Sequence, residues 1–305
     1  MKGTLVQTPV ISLENVRKSY KADFELGPVN LQVEPGCIVA VLGPNGGGKS
    51  TLFEILMNLI KPDSGEISLF GGTYPQDEVA IKQKVGYVPE RAVGHDEMSA
   101  KALGEFVSYW YPTWDQNLYQ DLLGRYEVDP DKKFGDLSRG MQRRLSFVLA
   151  LAVGPDLLLL DEPTEGVDPF ARTEMLEEVW RFVRDGRRGD GAERTVLFAT
   201  QVVEEARRVA DHILLLADGH VLGFHEKDEI LKRWKTFWVD AEPEGHIPGV
   251  VEVESGSPTR IVTDAPHETA EALSSQNILI VREGSVDLEE ILCRPMRRSK
   301  TERRA

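Results

Sequence analysis

The chain has 305 residues, enough to bury a core without disulfide staples and to hold one large domain with a smaller one. Hydrophobic residues make up 41% and charged residues 28%, as in an ordinary globular protein. The formal charge of −14, from 36 basic and 50 acidic side chains, argues against any global attraction to DNA or RNA, so no nucleic-acid partner is expected.

Cys37 and Cys293 are too far apart to write a zinc or redox pair, which points to a reducing compartment. Met1 to Val10 lacks the apolar core of a secretory signal. The richest apolar stretch, Leu145 to Leu160, is broken by Gly154, Pro155 and Asp156, short of the ~18–20 residues that span a bilayer. Any membrane role is expected to come through a partner.

In chain order, residues 10–16 and 29–33 alternate like half-buried strands, and Ile38 to Leu42 is a continuous apolar run suited to a strand buried on both faces. A Gly-rich turn, 43–48, follows. Leu52, Phe53, Ile55, Leu56, Leu59 and Ile60 then keep helical spacing up to a stop at Pro62 to Gly65. Val85 to Val88 is a further strand. From about 97 to 150 the pattern is helical and carries Phe106, Tyr109, Trp110, Tyr111 and Trp114, which are expected to pack a helical subdomain. Buried strands return at 157–160, 196–199 and 213–216, with a short helix at 202–210. Ala217-Asp218-Gly219-His220 forms a hairpin turn before Val221 to Phe224. The Arg, Gly and Asp-rich stretch 184–194 reads as a solvated loop.

After about 232 the texture changes to short strands at 237–240, 250–253, 260–263 and 278–281, mixed with helical stretches at 267–275 and 287–293. This predicts a small α+β domain over 233–293. The tail, 294–305, is basic and reads as a disordered end, with contact to anionic lipid headgroups as a second possibility.

Gly43-Pro44-Asn45-Gly46-Gly47-Gly48-Lys49-Ser50, followed by Thr51, fits G-x-x-x-x-G-K-[ST] between a buried strand and an amphipathic helix, as a phosphate-binding loop requires. Glycines let backbone N–H groups converge on phosphates, and the helix that follows aims its positive dipole end at the same place. Lys49 neutralises β/γ-phosphate charge, and the Ser50 hydroxyl is a hard oxygen ligand for Mg2+. Leu157 to Leu160 ends in Asp161-Glu162-Pro163, so a buried strand delivers two carboxylates to the edge where open α/β sheets bind ligands. Asp161 is suited to hold Mg2+ and Glu162 to act as general base toward the attacking water.

Between these motifs lies Leu137-Ser138-Arg139-Gly140-Met141-Gln142-Arg143-Arg144-Leu145, and here the sequence resembles the ATP-binding subunits of ABC transporters over about residues 8–232. The family's signature begins Leu-Ser-Gly-Gly-Gln just upstream of its acidic strand. Tyr20 matches the aromatic that stacks on adenine. Tyr87-Val88-Pro89-Glu90 matches a segment that usually ends in Gln, Gly166-Val167-Asp168-Pro169 matches the loop after the acidic strand, and Gln201 lies where the family usually has His. The resemblance implies an α/β P-loop NTPase fold of ABC type over 1–232, with an antiparallel β subdomain and a helical subdomain at about 92–150.

It also implies ATP and Mg2+ as ligands, with Ser50, Glu90 and Asp161 toward the metal. A second ATP-binding subunit, identical or different, would face this one, with Ser138 and Gly140 reaching the γ-phosphate of the partner's ATP. Separate transmembrane permease chains would hold the assembly at the cytoplasmic face of the membrane.

Four positions depart from the family pattern. Arg139 and Met141 replace Gly and Gln of the signature, in a form that resembles a branch with separate permeases, several of them drug or antibiotic exporters. Glu90 replaces Gln but still offers an oxygen. Gln201 replaces His: it can hydrogen-bond a γ-phosphate or water but cannot offer a cationic ring, which leaves two readings, branch variation with activity intact, or slowed hydrolysis in a pair with a more active partner. The function expected is therefore an ATPase that powers a transporter, an exporter by its signature. A soluble ABC-type ATPase acting on nucleic acid or ribosomes is the alternative. It is disfavoured by the short interval between the two nucleotide motifs, the single cassette and the acidity. A GTPase switch or small-molecule kinase leaves Leu-Ser-Arg-Gly-Met unexplained.

Overall fold

The computed structural model describes residues 8–20, 24–92, 94–184 and 193–291, and these divide into two compact units between Phe224 and His225. The first unit opens with strands β1 (Ile11–Tyr20) and β2 (Phe24–Val33), antiparallel, with Ile11 opposite Val33 and Tyr20 opposite Phe24. Ile11, Leu13 and Val16 of β1 are buried. Strand β3 (Ile38–Leu42) is buried at all five positions, as its unbroken apolar run requires.

Helix α1 (Lys49–Leu56) follows the Gly-rich turn. It stops at Leu56, short of the expected end near Pro62, because Asn58 takes a left-handed conformation with φ 52°. Leu59, placed on the apolar face by its spacing, is consequently 58% exposed. Strand β4 (Ser64–Leu69) was not foreseen, since only Leu69 in it is buried; it adds to the free side of β1 and completes an antiparallel sheet of order β2-β1-β4. The short helix α2 (Glu78–Lys82) was also unforeseen and leads into β5 (Val85–Val88).

Helices α3 (Ala100–Ser108) and α4 (Gln116–Arg125) start where a side-chain oxygen caps a free backbone N–H. Ser99 accepts from the Ala102 N–H at 3.2 Å, and Asp115 accepts from the Leu118 N–H at 2.9 Å. Helix α5 (Arg139–Ala152) completes the helical region. The aromatics here divide, against the expectation that all pack inward. Phe106, Tyr109 and Trp110 are 47%, 83% and 58% exposed. The inward face of α3 is taken by Ala100, Leu103 and Gly104, and Tyr109 and Trp110 fall beyond its last turn. Trp114 does pack, against Tyr119, with ring centres 4.9 Å apart.

The unit continues through β6 (Leu157–Asp161), α6 (Pro169–Arg184), β7 (Thr195–Thr200), α7 (Val203–Val209), β8 (His212–Ala217) and β9 (His220–Glu226). Six strands form a second sheet of order β5-β6-β7-β3-β8-β9. The pairs β5–β6, β6–β7, β7–β3 and β3–β8 are all parallel. Parallel pairing brings the C-terminal ends of β3, β5, β6 and β7 to one edge, so the chain segments after Leu42, Val88, Asp161 and Thr200 meet there.

The second unit runs from α8 (Lys227–Arg233) through β10 (Lys235–Val239), β11 (Val250–Glu254), β12 (Thr259–Thr263) and α9 (Pro266–Ser275) to β13 (Ile280–Ser285). Its four strands form an antiparallel sheet of order β11-β12-β10-β13 over a core of Phe237, Val239, Ile261, Leu273 and Ile278. The last strand begins two residues later than its sequence suggests, because Ile278 is spent in that core. Most of the 184–194 loop, Cys293 and the basic tail 294–305 lie outside the described residues. No helix among the described residues is long and apolar enough to cross a membrane.

Candidate functional site

The turn between β3 and α1 is shaped by steric demand. A Cβ on Gly43 would sit 1.8 Å from the Leu216 carbonyl oxygen, so only hydrogen fits there. Gly48, which caps α1, has φ 105° and lies against Leu26 and Phe24. Gly46, with φ 75°, has open space around it on the solvent side. The first residue of α1, Lys49, is 5% exposed and folds back over the turn, donating to the carbonyls of Gly43 at 2.8 Å and Pro44 at 3.1 Å. Its Nζ also stands 3.0 Å from Glu162 Oε1. Phosphate loop and acidic strand end are thus joined by one buried ion pair.

Glu162 is held in the left-handed region, φ 48°, where a non-glycine residue is rare. Its N–H donates to the Ala199 carbonyl at 3.1 Å, which extends the β6–β7 pairing of Asp161 with Ala199 by one residue. Burial pushes its carboxyl up, against the pull of Lys49, which favours the charged form. Asp161, at the last position of β6, is 1% exposed, and neither of its carboxylate oxygens has a hydrogen-bond partner. Burial foremost, with the charges of Glu90 and Glu162 adding, pushes its carboxyl up to about 6.

A buried carboxylate without donors is a costly arrangement that a cation would relieve. The Ser50 hydroxyl donates to Glu90 Oε2 at 3.1 Å, and both groups are near enough to shift the Asp161 carboxyl, Glu90 upward and Ser50 downward, so two carboxylates and a hydroxyl, all hard oxygen donors, share this edge. Among the described residues no group of three or more His, Cys, Asp or Glu side chains could hold a metal ion. Mg2+, which is bound through one or two carboxylates with phosphate oxygens and water completing its shell, fits this donor set.

The pocket at this edge has a volume of about 550 Å³ and is lined by Tyr20, Phe24, Glu90, Glu162, Glu165 and residues 45–51. Tyr20 ends β1, 42% exposed, with its ring 6.4 Å from that of Phe24. Gly43 and Pro44, at the start of the turn, are not among the residues that line the pocket.

The remaining expected residues stand elsewhere. Ser138 caps α5, accepting from the Met141 N–H at 3.3 Å, and Gly140 comes so close to residue 166 that an added Cβ would meet the Gly166 carbonyl at 2.9 Å. Asp168 accepts from the N–H groups of Phe170 and Ala171 at 3.1 Å each and pairs with Arg144, and these bonds, the one from Ala171 first, hold its carboxyl below the usual range. Gln201 follows Thr200 and is exposed, and it is not among the residues that line the pocket.

Three residues were missed from sequence. Glu165 lines the pocket one turn beyond Glu162. Arg143, 7% exposed, donates to the carbonyls of Pro89 at 3.0 Å and Asp161 at 3.5 Å, and faces Glu165 at 3.6 Å. Glu205, 3% exposed, accepts from the Thr164 hydroxyl at 2.5 Å and the Thr200 hydroxyl at 2.6 Å. The usable signal for the last two was a charged residue on the buried stripe of a helix, Arg143 beside Phe147 and Glu205 beside Val209.

The family model described as ABC transporter matches residues 26–165. The ABC transporter ATP-binding protein YtrB of Bacillus subtilis (strain 168) is 31% identical over 225 residues, covering 74% of this chain and 75% of that protein. The Nod factor export ATP-binding protein I of Burkholderia pseudomallei (strain K96243) is 35% identical over 214 residues, 68% of each chain. Among solved structures, a dimeric post-hydrolysis state of an ATP-binding cassette bound to ADP and Pi matches with a TM-score of 0.62 at 26% identity. That match covers 71% of this chain and 98% of the other.

Proposed function

The chain belongs to the ATP-binding proteins of ABC transporters, ATPases that power transport, and from that premise we propose how its own residues bind and hydrolyse ATP. The observation that carries the reading is the buried Lys49–Glu162 pair, which puts the phosphate-loop cation and a carboxylate of raised basicity in one pocket. ATP lies with adenine toward Tyr20 and its phosphates along the backbone N–H groups of Asn45, Gly46, Gly47, Gly48, Ser50 and Thr51. Lys49 turns from Glu162 to the β/γ-phosphates, which frees the carboxylate to accept the proton of the attacking water.

Ser50, Glu90 and Asp161 would hold Mg2+, which when bound would neutralise phosphate charge. Gln201, neutral where the family usually has His, leaves turnover slow. On that reading Gln201→His raises kcat with little change in KM, and Gln201→Ala lowers it.

ATP-driven pairing with a second ATP-binding subunit, of the same or another kind, places Ser138 and Gly140 against the partner's ATP, with Asp168 at the same face. The dimeric cassette among the structural neighbours supports this. Permease chains separate from this one hold the pair at the cytoplasmic face of the membrane. Export is the direction supported by the Arg139-Gly140-Met141 signature and by a relative named for Nod factor export. The ATP-binding domain is read over 1–232 and the accessory domain over 233–293; two compact units support a two-part chain, although they divide earlier, between Phe224 and His225, with α8 in the second.

The test is a pair of variants. Lys49→Ala abolishes or severely weakens ATP binding by calorimetry. Glu162→Gln keeps binding but lowers kcat by roughly the 10²–10⁴-fold a general base contributes, and with ATP it accumulates as a dimer by light scattering. Undiminished binding in the first, or undiminished turnover in the second, refutes the assignment.

A further inference from the structure

Helix α7 carries a carboxylate that the mechanism above leaves unused. Glu205 is 3% exposed, yet each of its oxygens is taken by a hydroxyl from a different strand end. Thr164, two residues beyond Glu162, donates to Oε1 at 2.5 Å, and Thr200, the last residue of β7, donates to Oε2 at 2.6 Å. Arg172 from α6 lies 3.6 Å from Oε1.

Thr200 extends the link on both sides. Its Oγ1 accepts from the Val202 N–H at 3.0 Å, and its carbonyl accepts from the Gly43 N–H at 3.3 Å. One buried side chain thus ties the acidic turn, the β7 turn that presents Gln201, and the root of the phosphate loop.

Strained backbone persists where its surroundings over-determine it. Glu162, at φ 48°, is fixed on one side by its N–H bond to the Ala199 carbonyl at 3.1 Å. The other side is the Thr164–Glu205 bond. We infer that Glu205 is a positioning residue for hydrolysis, which holds the Glu162 turn and the Gln201 turn at a set separation through the Thr164 and Thr200 hydroxyls. The inference rests on the reading of Glu162 as general base. Charge-assisted bonds to a carboxylate are the strong class, and buried they have no water to replace them, so deleting one hydroxyl loosens the turn it anchors.

The experiment uses the full chain with Thr164→Val, Thr200→Val and the double variant, each beside its Thr→Ser counterpart, with ATP affinity, KM, kcat and melting temperature measured. Valine keeps the shape and removes the donor. Each Val variant is expected to lose about 10-fold in kcat, inside the ~10²-fold that a misplacement of 1 Å can cost, with ATP affinity and KM within about 2-fold of wild type.

The Ser variants restore turnover, and the double variant loses less than the product of the singles, because both bonds end on one carboxylate. Glu205→Gln, with one oxygen left as acceptor, falls between wild type and the Val variants. If it does not fold, the Val and Ser pairs still decide. Wild-type kcat in both Val variants overturns the inference, and so does a loss of kcat matched by an equal loss of ATP affinity. Glu162→Gln separates the two failures. If it stops turnover while the Val variants remain fast, only the positioning role falls. If it turns over normally, the base assignment falls and the positioning role with it.

Discussion

The two halves of the nucleotide pocket are held in shape by opposite means. The phosphate loop is set by backbone, because Gly43 has no room for a Cβ against Leu216 and Gly48 turns at φ 105° between Leu26 and Phe24. The acidic turn facing it is set by side chains. Lys49 pairs with Glu162, Glu205 gathers Thr164 and Thr200, and Arg143 reaches the carbonyls of Pro89 and Asp161. A loop built on glycines is specified within a few consecutive residues. A turn held by distant side chains exists only once the ends of β5, β6 and β7 and the helices α1, α5 and α7 are in place. The loop should therefore fail abruptly, when a single atom is added, and the turn gradually, one bond at a time.

Gly43→Ala should break the loop outright. Its Cβ would stand 1.8 Å from a strand carbonyl, so β3 and β8 must part. The expected cost is about 3 kcal/mol or more, at the upper end for overpacking, and both urea unfolding and nucleotide binding report it.

Arg143→Met tests the turn. It leaves two carbonyls without their donor, an expected loss of about 1–3 kcal/mol, and it loosens the strand ends that carry Glu90 and Asp161. The gain in nucleotide affinity on adding Mg2+ should shrink relative to wild type in a calorimetric titration, while affinity without Mg2+ stays.

Gly46→Ala sharpens the contrast within the loop itself. With nothing within 4 Å of the added carbon, only the positive φ resists, and about 1–2 kcal/mol is expected. A loss as large as that of Gly43→Ala would show that dihedral freedom, rather than close approach, governs the loop.

The smallest effect is expected just before β3. Burial above all, then the charges of Asp211 and Glu34, pushes the Cys37 thiol up to about 12, so it stays protonated and unreactive. In a Cys293→Ser background, thiol labelling at pH 8 should be slow in the native protein and fast after unfolding.

How much was legible in advance follows the same division. Gly43 to Thr51 and Asp161-Glu162 stood out because their chemistry needs adjacent residues, and β3, β5, β6, β7 and β8 stood out because strands buried on both faces leave unbroken apolar runs. Strand β4 was hidden, since Ser64, Gly65 and Glu66 are exposed and the segment is a strand only because β1 offers it an edge. The exposure of Tyr109 and Trp110 was hidden as well, because an aromatic run has the same composition whether or not a helix ends beneath it. Gln201 was readable as a departure from family pattern, but its exposed setting outside the pocket was not.

The amino-acid sequence by itself determined the chemistry on offer: a glycine loop for phosphates, a lysine and a hydroxyl beside it, two carboxylates at a strand end, and the family these imply. The tertiary structure alone decided how those groups are aimed. It placed Lys49 3.0 Å from Glu162, left both oxygens of Asp161 without donors, and set Glu205 between two threonines 36 residues apart in the chain. The physical reason is range. Backbone conformation and helix dipoles act over a few neighbouring residues, whereas the burial of a charge and the bonds that satisfy it depend on segments that only the folded sheet brings together.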